Sequence, residues 1–456
     1  MSSGRELYLA VDIGGTKILA ALVDASGIAL CREKCPTPRE KGHEPLCDTL
    51  EKTITGLLDK SDGVALGDIT AMGIGVPGVV DMEQGLVVVT PNMGLSNTQL
   101  GPICEKLFGL PVVLGNDCNV GILGERWLGS ARDAESAMGI LVGTGVGGGF
   151  IQGSQVWSGS RGLAAEIGHI VMQIDGPLCG CGNRGCLEAL ASRTAIERDL
   201  HAAISAGRTS VLTELLTEEN QLIRSGILRQ ALALGDTLVT EVIQHAADVL
   251  GHACLTVSHL LDPEVIVLGG GVIEACSEYM VPIIQKIVAD DKLGTPEHVA
   301  RVLVSSLGDD AVLLGATALA RLHVGKNPFK KRYEVLPAYS PIDKRKNGNW
   351  EVGAKKYESD FFVTASGKAK RRKLLQDETE MTTPQCLTRQ HLERPCRGGP
   401  HKLFIAAGSS GDISLTDDAQ LYLQQRAIEW HVASLEKAMK AYNDFPHRKA
   451  AMVYLA

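Results

Sequence analysis

Two stretches of this chain carry the same design. "VDIGGTKILAALV" begins at Val11 and "LVGTGVGGGFIQG" at Leu141, and each is an apolar run, a turn of glycine and threonine, and a second apolar run. That pattern reads as a hairpin closed by glycine. One such hairpin at the head of each half predicts two related lobes. Around them, apolar strands alternate with helical spacing. Leu46, Leu50, Ile54 and Leu57 share one face of a helix over 45–60. "LPVVLGNDCNVGILGERWLG" is a strand, a short turn and a helix, and "EVIVLGGGV" is a strand that leads through glycine into another helix. The alternation implies an α/β architecture.

The texture changes after Gly325. Residues 326–375 hold fourteen Lys and Arg against five Asp and Glu, in a chain whose formal net charge is −8. Residues 326–349 read as a basic linker, rich in proline and without a sustained period. Residues 350–456 read as a separate small α/β domain with the order βαβαβ, in which Thr416 and Ser434 are expected to cap two helices. The boundaries expected from this reading are 1–118 for a first lobe and 119–325 for a second. The acidic balance argues against broad nucleic-acid binding by the whole chain. The basic run Gly367–Lys373 reads chiefly as a solvated turn, with an acidic partner or nucleic acid as the rival. No run of eighteen apolar residues is present, so no membrane span is expected. The first residues lack the pattern of an export signal, so a cytoplasmic location with reduced thiols is expected.

"HIVMQIDGPLCGCGNRGC" places Cys179, Cys181 and Cys186 in C-x-C-x4-C spacing, ten residues after His169. Three thiolates and an imidazole complete a tetrahedral structural zinc site. Gly180, Gly182 and Gly185 are expected to let the backbone fold around the ion. Closed coordination leaves no position for a water, so such a zinc would be structural. The rival reading is a loop of reduced cysteines; a redox pair fits less well, because C-x-C is not C-x-x-C.

Taken together and in order, "DIGGTK", "GVPGVVD", "NDCN", "GTGVGGG", "AEIGH" and "CGCGNRGCLE" resemble the sugar kinases of the ROK family, and among them the glucokinases. The resemblance spans residue 7 to about residue 325. It implies a two-lobed actin/hexokinase-like (ribonuclease H-like) α/β fold, an ATP-dependent transfer of phosphate to the C6 hydroxyl of a hexose, and a homodimer. It further implies that Asp117 is the general base. Asn116, Glu166, His169 and Glu188 would hold sugar hydroxyls, with Gly78 and Asn92 lining the sugar side of the cleft. Asp12, Gly14, Gly15, Thr16 and Lys17 would form a first phosphate loop, and Thr144, Gly145, Gly147 and Gly148 a second. Gly269, Gly270 and Gly271 would pass close to the adenosine. Asp12 would orient hydrated Mg2+. His169 would serve twice, one ring nitrogen on zinc and the other toward the sugar, with the metal fixing the ring. Both ligands would be enclosed as the lobes close.

Gly94-Leu95 stands where the family's glucokinases commonly show Gly-Trp, so mannose, fructose, allose, N-acetylglucosamine and N-acetylmannosamine stay open beside glucose, as does polyphosphate beside ATP. ROK proteins also include sugar-responsive repressors. These carry a helix-turn-helix before the first strand, where this sequence has about six residues. A scaffold that kept the fold and lost activity is the third reading. Asp117 and both glycine loops argue against it. The C-terminal residues resemble a further family, the adipogenesis-associated small α/β domains, which brings no catalytic set with it.

Overall fold

The computed structural model describes residues 6–91, 93–216, 222–293, 295, 298–329, 336–344, 349–372, 386–408 and 413–455. The chain divides into two compact units, Met1–Arg132 with Ser306–Ala456, and Asp133–Ser305.

The first unit is built on a five-stranded sheet. Its order is Ala29–Pro36, Lys17–Asp24, Leu7–Ile13, Ile69–Val76, Val112–Asn116. The first three strands form an antiparallel meander, and the last two run parallel to Leu7–Ile13. The apolar runs seen in the sequence fill both faces, so Leu7–Ile13 is buried along nearly its whole length. His43–Asp59 packs on one side through Leu46, Leu50, Ile54 and Leu57.

The second unit repeats the plan. Its order is Gln155–Val156, Val146–Gln152, Ser136–Val142, Val265–Gly269, Arg301–Val304, antiparallel across the first two pairs and parallel across the last two. Helices Thr237–Leu261 and Gly271–Ala289 fill its core with aliphatic side chains. Two such sheets, each opened by a hairpin, are the actin/hexokinase-like α/β fold that the resemblance implies.

The lobe boundary expected at 118/119 needs correction, and so does the end of the second lobe at 325. Helices Asp117–Leu128 and Ala311–His323 both belong to the first unit. The cause is a backbone-to-backbone crossing. A Cβ on Gly124 would lie 2.2 Å from the carbonyl oxygen of Ala311, and one on Gly315 would lie 1.7 Å from that of Val120. Glycine at both points lets the helices touch, and together they cover the first sheet.

The C-terminal residues form a sheet of their own, ordered Ala369–Arg371, Phe361–Val363, Lys449–Tyr454, Lys402–Ala407, Glu429–Ala433. The last three strands are parallel and, with Asp417–Gln425 and Leu435–Asp444, follow the βαβαβ order. Thr416 and Ser434 sit at the two N-cap positions, without a side-chain bond to the helix amides. The linker is shorter than expected. Ile342–Lys344 already pairs with Trp350–Val352, and the Tyr339 hydroxyl donates to Ala365 O at 2.7 Å. Residues 330–335 and 345–348 lie outside the described residues. Part of the basic run is the edge strand Ala369–Arg371, and Lys373 lies outside the described residues. Among the described residues no helix is long and apolar enough to cross a membrane.

Candidate functional site

In the first unit, the strand Val112–Asn116 runs straight into the helix Asp117–Leu128. Asn116 caps that helix. Its Oδ1 accepts from Cys118 N at 3.0 Å and Asn119 N at 3.1 Å, and its Nδ2 donates to Gly78 O at 3.0 Å. Asn116 therefore acts as a strut between the Pro-Gly turn and the helix, a commitment that the sequence reading, with its sugar contact, did not include. Gly78 itself has φ +99 and sits against Val89 O, where a Cβ would come within 2.2 Å. Asn92 lies outside the described residues.

Asp117 is the first helical residue, and its Oδ1 accepts from Cys118 N at 2.9 Å. Burial pushes its carboxyl upward, partly offset by the Cys118 hydrogen bonds. Asp12, near the end of Leu7–Ile13, is raised to about 7 by burial first, then by the charges of Asp117 and Asp309, against a lowering by Lys17. A buried carboxylate raised further by a neighbouring charge suits a bound divalent cation, which takes oxygen ligands and favours its ionised form. The turn after Asp12 is closed by Gly14 N on Lys17 O at 2.9 Å. Thr37 Oγ1 donates to Gly14 O at 2.6 Å. Gly15 and Thr16 are exposed at its tip. Lys17 Nζ stands 3.6 Å from Asp309 Oδ1.

In the second unit, the turn is narrower than its sequence suggests. Gly143 N donates to Gly145 O, and the ladder resumes at once with Val146 opposite Val142, Gly147 opposite Leu141 and Gly148 opposite Ile140. Thr144 and Gly145 form the tip, whereas Gly147 and Gly148 are strand residues. Gly148 is needed for packing, because a Cβ there would lie 2.4 Å from Ala165 O. Gly168 answers it from the other side, where a Cβ would lie 2.0 Å from Val146 O. The strand thus lies directly on the segment that carries Glu166 and His169. The Thr144 hydroxyl accepts from Arg193 Nη2 at 3.0 Å, and Thr194 Oγ1 donates to Thr144 O at 2.8 Å. Nothing local in the sequence marks Arg193 for this contact.

Glu166 and His169 sit at the two ends of a single 3-10 turn, Ile167–His169. Residues three apart on such a turn lie on one side. Glu188, at the start of Leu187–Ala191, meets both neighbouring features. Its Oε2 accepts from Val146 N at 3.0 Å, and its Oε1 accepts from Cys179 Sγ at 3.6 Å. The expected sugar carboxylate is thereby also a link between the glycine turn and the cysteine cluster.

That cluster assembles as the spacing implies. The ligand atoms of His169, Cys179, Cys181 and Cys186 lie within 4.8 Å of one another. Cys179 Sγ is 3.7 Å from His169 Nδ1, and Cys181 Sγ is 3.7 Å from Cys186 Sγ. Thiolates at about 2.3 Å from a tetrahedral zinc stand about 3.8 Å apart, so this donor set fits that ion. Nδ1 faces the sulfur, which leaves Nε2 as the second nitrogen. Gly182 and Gly185 have positive φ, as expected; Gly180 does not, and a side chain there would meet open space. In the second unit's sheet, on the strand next to Ser136–Val142, Gly269 ends Val265–Gly269, Gly270 turns with φ +86, and Gly271 opens the helix Gly271–Ala289.

The sequence model of the ROK family matches residues 8–323. The chain belongs to the ROK family. A glucokinase of Thermotoga maritima is 33% identical over 321 residues, covering 70% of this chain and 98% of that protein. The crystal structure of a ROK family glucokinase from Streptomyces griseus in complex with glucose and AMPPNP superposes with a TM-score of 0.60 at 33% identity, covering 69% of this chain and 99% of the other. A protein described as a putative xylose repressor from Caldicellulosiruptor is 30% identical, covering 69% of this chain and 77% of its own length. ROK proteins similar to this one thus include kinases and regulators, and the family match ends at residue 323, before the C-terminal sheet.

Proposed function

We propose that this chain is an ATP-dependent sugar kinase that phosphorylates a hexose at the C6 hydroxyl, with glucose first among the candidates. The observation that carries the reading is the state of Asp117. It stands at a strand-to-helix turn, its neighbour Asn116 does the capping, and burial raises its proton affinity. A carboxylate so placed can accept the proton of a sugar hydroxyl as that oxygen attacks the γ-phosphate. The C6 oxygen forms a bond to phosphorus, the bond to the β–γ bridging oxygen breaks, and ADP leaves. Asp12 would hold the hydrated Mg2+ of the nucleotide, and that ion supplies charge neutralisation at the phosphates. Gly14, Gly15, Thr16 and Lys17, and Thr144 with Gly145, would offer donors to phosphate oxygens. Glu166, His169 and Glu188 would orient the sugar hydroxyls. Zinc, held by His169, Cys179, Cys181 and Cys186, would brace those side chains and take no part in bond making.

The regulator-like relative supports a second reading, sugar binding without transfer. A coupled ADP-release assay over a panel of hexoses and N-acetyl amino sugars separates the two, with Asp117→Asn as the blank. Turnover on one or more sugars above that blank supports the kinase. Binding with no ADP release from any sugar overturns it.

A further inference from the structure

The chain passes between its two units at 132/133 and at 305/306. On the first unit's side, one buried carboxylate holds both passages. Glu125 Oε2 accepts from Ser130 N at 2.8 Å, Ser130 Oγ at 2.9 Å and Ser306 N at 3.3 Å, and its Oε1 accepts from Leu307 N at 3.0 Å. The turn held in this way continues into Asp309 and Asp310. Asp310 takes both terminal nitrogens of Arg32, at 2.5 and 2.9 Å, in a fork that fixes its plane. Arg32 lies on Ala29–Pro36, the strand paired with Lys17–Asp24. Asp309 stands beside Lys17. The turn is therefore tied once to the hairpin tip, at Lys17, and once to the strand beside that hairpin, at Arg32.

The C-terminal domain closes on this same turn. A Cβ on Gly399, where φ is +63, would lie 2.9 Å from Leu307 Cδ2 and Ser306 Oγ. One on Gly398 would lie 3.3 Å from Asp310 Oδ2. The buried Arg448 donates from Nε to Gly398 O at 2.8 Å and from Nη1 to Gly27 O at 3.3 Å. His401 Nε2 lies 3.2 Å from Leu128 O, and Arg132 Nη2 donates to Ala427 O at 2.7 Å. These are contacts to backbone in buried surroundings, the kind that fix geometry.

We propose that the C-terminal domain braces the ATP side of the first unit: seated on the Ser306–Asp310 turn, it fixes Asp309 and Asp310 and so sets the position of the loop Gly14–Lys17. The inference rests on the assignment of that loop to ATP phosphates. The domain touches neither nucleotide nor sugar in this role; it is a positioning element.

Steady-state kinetics of the full chain test it. Gly399→Val drives a side chain into Leu307 and Ser306, and Asp310→Asn weakens the fork with Arg32. Each should raise KM for MgATP about tenfold and hold KM for the sugar within about twofold, and the double variant should be no worse than the poorer single, because both act through one turn. Thermal melting and circular dichroism establish that each variant is folded. Gly399→Ala, a smaller intrusion at the same contact with Leu307 and Ser306, replaces Gly399→Val if that variant does not fold, with the same expected split. Thr16→Val tests the parent reading. If it leaves KM for MgATP unchanged, the loop is not an ATP loop and both readings fall. If it raises that constant while the folded brace variants do not, the brace alone is overturned. Equal losses for ATP and sugar, or multiplying effects in the double variant, overturn it as well.

Discussion

The side-chain oxygen of Asn116 accepts the amides of Cys118 and Asn119 and so caps the helix, while Asp117, one residue on, shares the Cys118 amide through Oδ1. Asn116→Ala removes the cap and the donor to Gly78 together. It should lower stability by about 1 kcal/mol and depress turnover through a displaced Asp117. Asn116→Asp keeps the cap acceptor but loses the donor and sets a carboxylate oxygen against Gly78 O, so it should also melt below the parent protein. Thermal melting of the two variants side by side makes the comparison.

Asp117→Asn keeps shape and removes the base. Turnover should drop by about 10²–10⁴, while sugar binding by calorimetry stays within a few-fold. A variant that binds sugar and still releases ADP at the parent rate takes Asp117 out of the role.

Asp12 gives a pH signature. Its carboxyl titrates at about 7, through burial first and the Asp117 charge second. Protonation weakens its hold on a hydrated cation, so kcat/KM for MgATP should decline as pH falls through about 7. Without divalent ions the stability effect has a definite sign. The unfolded chain releases this proton near pH 4, the folded chain near 7, so Asp12 costs stability progressively from about pH 4 to about pH 7 and fully above that. Asp12→Asn should therefore match the parent melting temperature near pH 4 and exceed it at pH 8.

The cysteine cluster predicts about one zinc per chain in purified protein. Cys181→Ser should lose the metal by elemental analysis and raise the sugar KM more than the ATP KM, because Glu166 and His169 share the turn that the ion would anchor. Chelation should reproduce the variant, and added zinc should restore the parent but not Cys181→Ser. Metal-free protein with parent kinetics would remove zinc from any supporting role.

Local pattern made both sheets legible: paired apolar runs around glycine marked Leu7–Ile13 with Lys17–Asp24 and Ser136–Val142 with Val146–Gln152. C-x-C-x4-C and His169 likewise marked a cluster that the fold assembles. What the sequence left hidden depends on distant partners. Gly147 and Gly148 read as loop, yet they are strand, because the reason for glycine at 148 is the backbone of Ala165. Ala311–His323 is apolar on most sides, and nothing within it says that its seat is Val120–Gly124 rather than the sheet that precedes it. Arg32 and Asp310 meet across 278 residues. Glu188 shows only a carboxylate beside a cysteine, with no sign that Val146 N takes one of its oxygens.

The crossing of Gly124 with Ala311 bears on how the polypeptide matures on the ribosome. The middle unit, Asp133–Ser305, is contiguous and can complete its core during synthesis. The opening strands are made earlier but must wait, one face bare, until Ala311–His323 emerges. Birth order and finishing order are reversed, and the nascent amino-terminal sheet is the stage at which a chaperone has most to protect.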